Sequence, residues 1–258
     1  MIDALAFLGR HPFRGAGTED AGELEALLMR LGFERAFVVG LEALFGRDVW
    51  RANELHLRRL AGRKLLAPLA GVNPSYAVDR ERVEGLRELG FRAAVVAPLY
   101  HGFSPRDRAV GRLLRLAADA GLPVVLLGWL EDVRGMHRAY RFRFRLDERG
   151  LAEFVGLAAG AGARVLLSRV EYGLLERLAG AARGAEVYVD VAHNTVYGPA
   201  YDRVASLVEL YGEERVVLST GAPLDYPLVH VLKVLSSNLS EAAKRRILRE
   251  NALELYGS

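Results

Sequence analysis

The chain has 258 residues, 51% of them hydrophobic and 26% charged, with a formal net charge of +3 and no cysteine. This composition belongs to a folded globular domain rather than a disordered chain, and it excludes disulfides, thiolate nucleophiles and cysteine-ligated metals. No apolar run reaches the ~20 residues of a membrane span, and no basic segment precedes the apolar stretch at the N-terminus as in a signal peptide, so a cytoplasmic location is expected.

Eight short apolar runs recur along the chain, each followed by a helical pattern: Ile2–Phe7, Ala36–Val39, Leu65–Val72, Ala93–Ala97, Pro123–Leu127, Val165–Leu167, Val187–Val191 and Val216–Ser219. Near-continuous apolar runs suit parallel strands buried on both faces. Helix starts are readable between them. Thr18 precedes an acidic first turn at Glu19 and Asp20, Asp79 is placed to cap the helix holding Val83 and Leu86, Ser104-Pro105 reads as a cap followed by a first-turn proline, and Ser240 opens the last helix. Repeated β-then-α units imply a parallel sheet with right-handed crossovers. Eight units in about 250 residues imply a closed (β/α)8 TIM barrel, α/β in class, as one domain over residues 1–258. A doubly wound open sheet is the alternative and usually has fewer strands.

In such barrels the functional face lies at the C-terminal ends of the strands. The segments to read are therefore Gly9–Arg14, Leu41–Glu42, Asn73, Tyr100–His101, Trp129–His137, Arg169–Tyr172, His193–Tyr197 and Gly221–Tyr226.

Several segments resemble the amidohydrolase-related branch of the metal-dependent TIM-barrel hydrolases. Ile2-Asp3-Ala4-Leu5-Ala6-Phe7-Leu8-Gly9 resembles that branch's I-D-x-H-x-H-x-G, and Arg215 to Pro223 resembles its R-I-L-F-G-S-D-x-P. Ala70–Pro74, Tyr100–Pro105, Gly121–Val124 and the closing helix from Leu239 to Ala252 also match. The resemblance implies metal ligands from H-x-H on the first strand, a His ending the fifth, a His ending the sixth and an Asp ending the eighth. The matching residues here are Leu5, Phe7, Leu127, Arg169 and Gly221. A catalytic zinc needs about three protein ligands and an open position, so a degenerate branch without metal, and without other cofactor, is expected. A smaller subset of relatives reads G-R-x-P-F-R after the first strand and E-D-x-R-x-x-H after the fifth. It is similar to Gly9–Arg14 and Glu131–His137 here and implies no reaction.

Glu131, Asp132, Arg134 and His137 form the richest polar cluster, and a histidine beside a carboxylate suits general acid–base work. The plainer reading is a salt-bridged rim loop. His101 beside Tyr100 is a further acid–base candidate, though lone loop histidines are usually only hydrogen-bonded. Arg10, Arg14, Arg134 and Arg169 share the face with Tyr100 and Asn73, and guanidinium groups bind carboxylate or phosphate as a fork. Either they form an anion pocket, or each pairs with a local acid. Arg169 is expected to meet Glu131, Asp132, Glu171, Asp190 or a bound anion, because a buried guanidinium is costly unpaired. Tyr140–Leu146 alternates apolar and cationic residues, as in a short rim strand.

The expected function is thus a barrel without the ancestral metal site that binds a small anionic molecule at its mouth. Two alternatives stay open. One is a metal-independent hydrolase, lyase or isomerase using His137 or His101 with Asp132 or Glu131. The other is a metal hydrolase with ligands recruited from His11, His193 and Asp225. His56 and His230 show no ligand spacing. Without a basic stripe interleaved with aromatics no nucleic-acid partner is expected, nor a membrane partner, and homo-oligomerisation is left open.

Overall fold

The computed structural model describes residues 1–13, 15–76, 78–130, 146–192 and 201–257. The first half runs β1 (Ile2–Arg10), β2 (Gly17–Thr18), α1 (Ala21–Arg30), β3 (Arg35–Gly40), α2 (Leu41–Phe45), α3 (Val49–Leu60), β4 (Leu66–Gly71), α4 (Arg80–Glu88), β5 (Ala94–Val96), α5 (Pro98–His101) and α6 (Arg108–Asp119). The second runs β6 (Val124–Leu127), α7 (Glu148–Ala161), β7 (Val165–Ser168), α8 (Tyr172–Leu178), β8 (Val187–Asp190), α9 (Tyr201–Tyr211), β9 (Val216–Val217), α10 (Pro227–Leu235), α11 (Glu241–Arg245), a π turn over Arg246–Glu250, and α12 (Asn251–Tyr256).

All eight apolar runs are strands of one sheet, and neighbours from β1 and β3 through β9 pair in parallel. The sequence reading missed β2, a two-residue strand antiparallel to the end of β1. It is too short to show a period, and it forms because Gly17 adopts φ +95° directly against the Gly9 carbonyl. The sheet closes on itself through an irregular seam after β9. Ala4 N–H donates to Leu218 O at 2.8 Å, Gly221 N–H to Leu5 O at 3.0 Å and Phe7 N–H to Ala222 O at 2.7 Å.

Side chains alternate across each strand, so two cores result. Leu5, Phe7, Phe37, Val39, Leu69, Val95, Val125, Leu127, Leu166 and Val217 fill the barrel interior. Ala6, Leu8, Val38, Val96, Leu126, Leu167 and Val189 face outward against the helices. Leu5, Phe7 and Leu127 are fully buried, which gives the mouth an apolar floor.

Two helix starts differ from the sequence reading. The cap of α1 is Asp20, whose Oδ1 accepts from Gly22 and Glu23 N–H. Thr18 is used one step earlier, accepting from Asp20 N–H and bonding the Glu23 carboxylate. Ser104-Pro105 builds the turn before α6 instead of its first turn, because Ser104 and Asp107 bond each other and the helix starts at Arg108. Asp79 and Ser240 cap α4 and α11 as read. Residues 140–145 of the alternating segment lie outside the described residues.

Asn53 on α3 ties the end of β4 to its helix. Its Nδ2 donates to Gly71 O at 2.8 Å and its Oδ1 accepts from Gly71 N–H at 2.9 Å, both buried. Asn53→Ala leaves both backbone groups unpaired, so chemical denaturation should show a loss of roughly 2–3 kcal/mol. An unchanged midpoint would mean that the strand end finds other partners.

Candidate functional site at the barrel mouth

Arg169 follows the last residue of β7 in a left-handed conformation, φ +55°, unusual for a residue with a Cβ. It is only 6% exposed. The turn is held from both sides: Asp190 Oδ1 accepts from Arg169 N–H at 3.1 Å, and Trp129 N–H donates to Arg169 O at 3.2 Å. Gly128 makes the second approach feasible, since a Cβ there would lie 2.2 Å from Arg169 O. The guanidinium is held next. Nε donates to Trp129 O at 2.7 Å and Nη1 to Asp225 Oδ2 at 3.3 Å. Nη2 has no hydrogen-bond partner among the described residues. Beneath the fork lies Gly221, where a Cβ would stand 2.5 Å from Nη1. The arginine thus occupies the space that a side chain at 221 would need.

Asp190 ends β8 and is buried, accepting from Ser168 Oγ at 2.5 Å and from Ala192 N–H at 3.3 Å as well as from Arg169. Asp3, also fully buried, accepts from Leu5 N–H at 3.1 Å, from Thr220 N–H at 2.8 Å and from the Thr220 hydroxyl. Burial pushes the Asp3 carboxyl up to about 7 against these bonds, with the Asp190 charge adding to the rise.

Asp225 leads into α10, whose buried face mixes Val231 and Val234 with two polar residues. Leu228, Leu232 and Leu235 lie half exposed, whereas His230 and Lys233 are buried. His230 Nε2 faces Asp225 Oδ2 at 3.4 Å, and Lys233 Nζ donates to His230 Nδ1 at 3.2 Å. Burial works against the Asp225 charge, yet the His230 contact and the Arg169 charge hold its carboxyl well below the ordinary range. Burial lowers both His230 and Lys233, the latter to about 8, with Asp225 opposing in each case.

An aromatic wall lines the mouth beside this network. Phe45 meets His11, Phe13 and Tyr100 edge-to-face at 5.2, 6.0 and 5.2 Å between ring centres. The Tyr100 hydroxyl accepts from Leu130 N–H at 2.6 Å, so the segment Trp129–Leu130 holds the wall on one side and Arg169 on the other.

The remaining candidates from the sequence fall in several places. His101 is largely buried with Nε2 against Ala43 O at 3.0 Å, and burial lowers its pKa. Asn73 is buried and accepts from Ser75 N–H at 3.0 Å. Arg10 is exposed on the rim, 3.7 Å from Glu19. Arg14, Glu131, Asp132, Arg134, His137 and His193 lie outside the described residues. Of the recruited ligands considered, His11 accepts from Phe13 N–H at 3.2 Å, and Asp225 is engaged by Arg169. Among the described residues, the carboxylate paired with the Arg169 side chain is Asp225, which the sequence reading did not name for it. Asp190 holds its backbone instead, because the left-handed turn points the guanidinium toward the eighth-strand loop. Also missed were His230 and Lys233. The available signal was two polar residues three apart in an otherwise apolar helix, which share one face.

Residues 14–258 match the family model described as amidohydrolase. The chain belongs to the amidohydrolase family. Solved structures with the same fold include a 2,6-dihydroxybenzoate decarboxylase from Rhizobium, 14% identical with a TM-score of 0.73, each chain covered to 99%. A putative 2-pyrone-4,6-dicarboxylic acid hydrolase from Pseudomonas putida is 17% identical with a TM-score of 0.74, covering 99% of this amidohydrolase-family chain and 97% of that one. A 5-carboxyvanillate decarboxylase from Sphingomonas paucimobilis is 14% identical with a TM-score of 0.71, covering 94% and 84%. No curated protein matches the sequence. Among the described residues of this family member, no three His, Cys, Asp or Glu side chains cluster as metal ligands. Leu5, Phe7, Leu127 and Gly221 present no ligand atom, and Arg169 brings a positive charge, so these residues do not fit a divalent cation.

Proposed function

We propose that this amidohydrolase-family barrel works without a bound divalent cation and binds a small organic anion, a carboxylate foremost, at its mouth, with Arg169 in the place of the metal. The observation that carries this reading is the half-used fork of Arg169. It is buried, aimed by a strained backbone, anchored through Nε and Nη1, and open at Nη2 among the described residues. A charge-assisted bond to a planar carboxylate is what such an arm offers. The wall of Phe13, Phe45 and Tyr100 suits an aromatic ring attached to that carboxylate. The similar structures named for dihydroxybenzoate, carboxyvanillate and pyrone dicarboxylic acid support the same ligand class.

The test is calorimetric titration with benzoate, together with elemental analysis of protein produced in zinc- and manganese-supplemented medium. Benzoate should bind, and Arg169→Met should weaken it by about 1.5–3 kcal/mol, roughly 10- to 150-fold. Metal should stay well under one equivalent. Stoichiometric metal, or an affinity that ignores Arg169, would overturn the reading.

A further inference from the structure

Helix α10 turns its leucines to solvent and its His and Lys into the protein. Val231 and Val234 are buried beside them, so the inward face is mixed and its two polar members need partners there. Lys233 is the end of that polar chain. Its ammonium group makes a single hydrogen bond among the described residues, to His230 Nδ1. An accepting Nδ1 leaves the imidazole proton on Nε2, which faces Asp225, and Asp225 in turn faces Arg169. Among the described residues, the titratable and charged groups around Lys233 are His230 on its own helix, Asp225 in the loop before it, Asp190 at the end of β8 and Arg169 after β7. Two cations, Arg169 and Lys233, therefore stand against two carboxylates, Asp190 and Asp225. A ligand carboxylate at Nη2 adds a third negative charge, which favours the charged form of Lys233 over the neutral one.

We propose that Lys233 is the second cation of the anion site, a positioning residue that acts through His230 and Asp225 without touching the ligand. This rests on the anion-binding reading and names its electrostatic partner. The sign follows from linkage. An anion favours the ammonium form, so its affinity is highest below the Lys233 midpoint and falls as pH rises through it. Reciprocally, the ligand raises that midpoint. The window lies around the value of about 8 to which burial lowers Lys233.

The chain has only three lysines, Lys64, Lys233 and Lys244, so the wild-type protein carrying 15N-lysine reports each ammonium group by NMR. Lys64 is exposed and Lys244 pairs with Glu241, and both serve as internal controls. One of the three midpoints should lie below the others and move upward when benzoate is added. By calorimetry, benzoate affinity should fall roughly 3- to 10-fold between pH 7 and 9.5. Lys233→Arg should keep its affinity at the higher pH, and Lys233→Met should be weak and independent of pH. A Lys233 midpoint that ignores benzoate overturns the proposal even if Arg169→Met abolishes binding, and so does a Lys233→Met variant with the wild-type pH profile. If benzoate fails to bind the wild type, the underlying reading falls and this one with it.

Discussion

Gly128→Ala is expected to destabilise the barrel by about 3 kcal/mol and to weaken benzoate binding with it. The added Cβ would lie 2.2 Å from the Arg169 carbonyl oxygen and 2.8 Å from its carbonyl carbon. Both are backbone atoms, so no side chain can swing away. Relief requires that β6 and β7 separate at their C-terminal ends, which breaks Gly128 N–H to Ser168 O and Trp129 N–H to Arg169 O. The same displacement carries Trp129 O away from Arg169 Nε, so the fork loses its anchor. Gly156→Ala is the control. It lies on the exposed side of α7 with open space around it and should stabilise by up to about 1 kcal/mol. Thermal denaturation and benzoate titration of both variants decide the matter. A Gly128→Ala protein with the wild-type melting temperature would show that the strand ends are not in forced contact.

The second large effect concerns pH and Asp3. Its carboxyl titrates near 4 when unfolded and near 7 in the fold, pushed up chiefly by burial. The folded state then holds the extra proton between these values. Stability from this group is full below about pH 4 and is lost as pH rises through about 7. The loss is on the order of 4 kcal/mol at most, from about 1.4 kcal/mol per unit. Asp3→Asn cannot ionise, and its carbonyl oxygen can still accept from the Leu5 and Thr220 N–H groups. Its melting temperature should therefore vary less between pH 5 and 8 than that of the wild type, and at pH 8 it should be the more stable of the two. Parallel pH dependence in the two proteins would assign the effect to another group.

The barrel was legible because each strand carries a continuous apolar run, and a strand buried on both faces cannot be anything else for long. Where that rule fails, so did the reading. Gly17–Thr18 is too short for a period, and Ser104-Pro105 has cap chemistry that a turn uses equally well. The site was legible only by position. Arg169 stood out because a cation occupies a matching ligand position, but its partner depended on a left-handed φ that no local pattern announces in a non-glycine residue. Lys233 was counted in the composition yet not read as part of a site. Burial of a lysine is decided by the acids that face it from other elements, here Asp190 and Asp225, more than 40 positions and 8 positions away.

The seam bears on how the chain is made. Asp3 and Thr220 are separated by 217 positions, and Tyr256 reaches Ala4 O across 252. During synthesis β1 is made more than 200 residues before the segment after β9 that closes the seam against it. Until then residues 2–8 form a mostly apolar edge with unsatisfied N–H and C=O groups, the kind of template on which nascent chains pair with one another. Closure contacts of such separation form late and slowly. A ribosome-stalled fragment ending before Val216 should accordingly bind holdase chaperones and aggregate on release, and the completed chain should do neither.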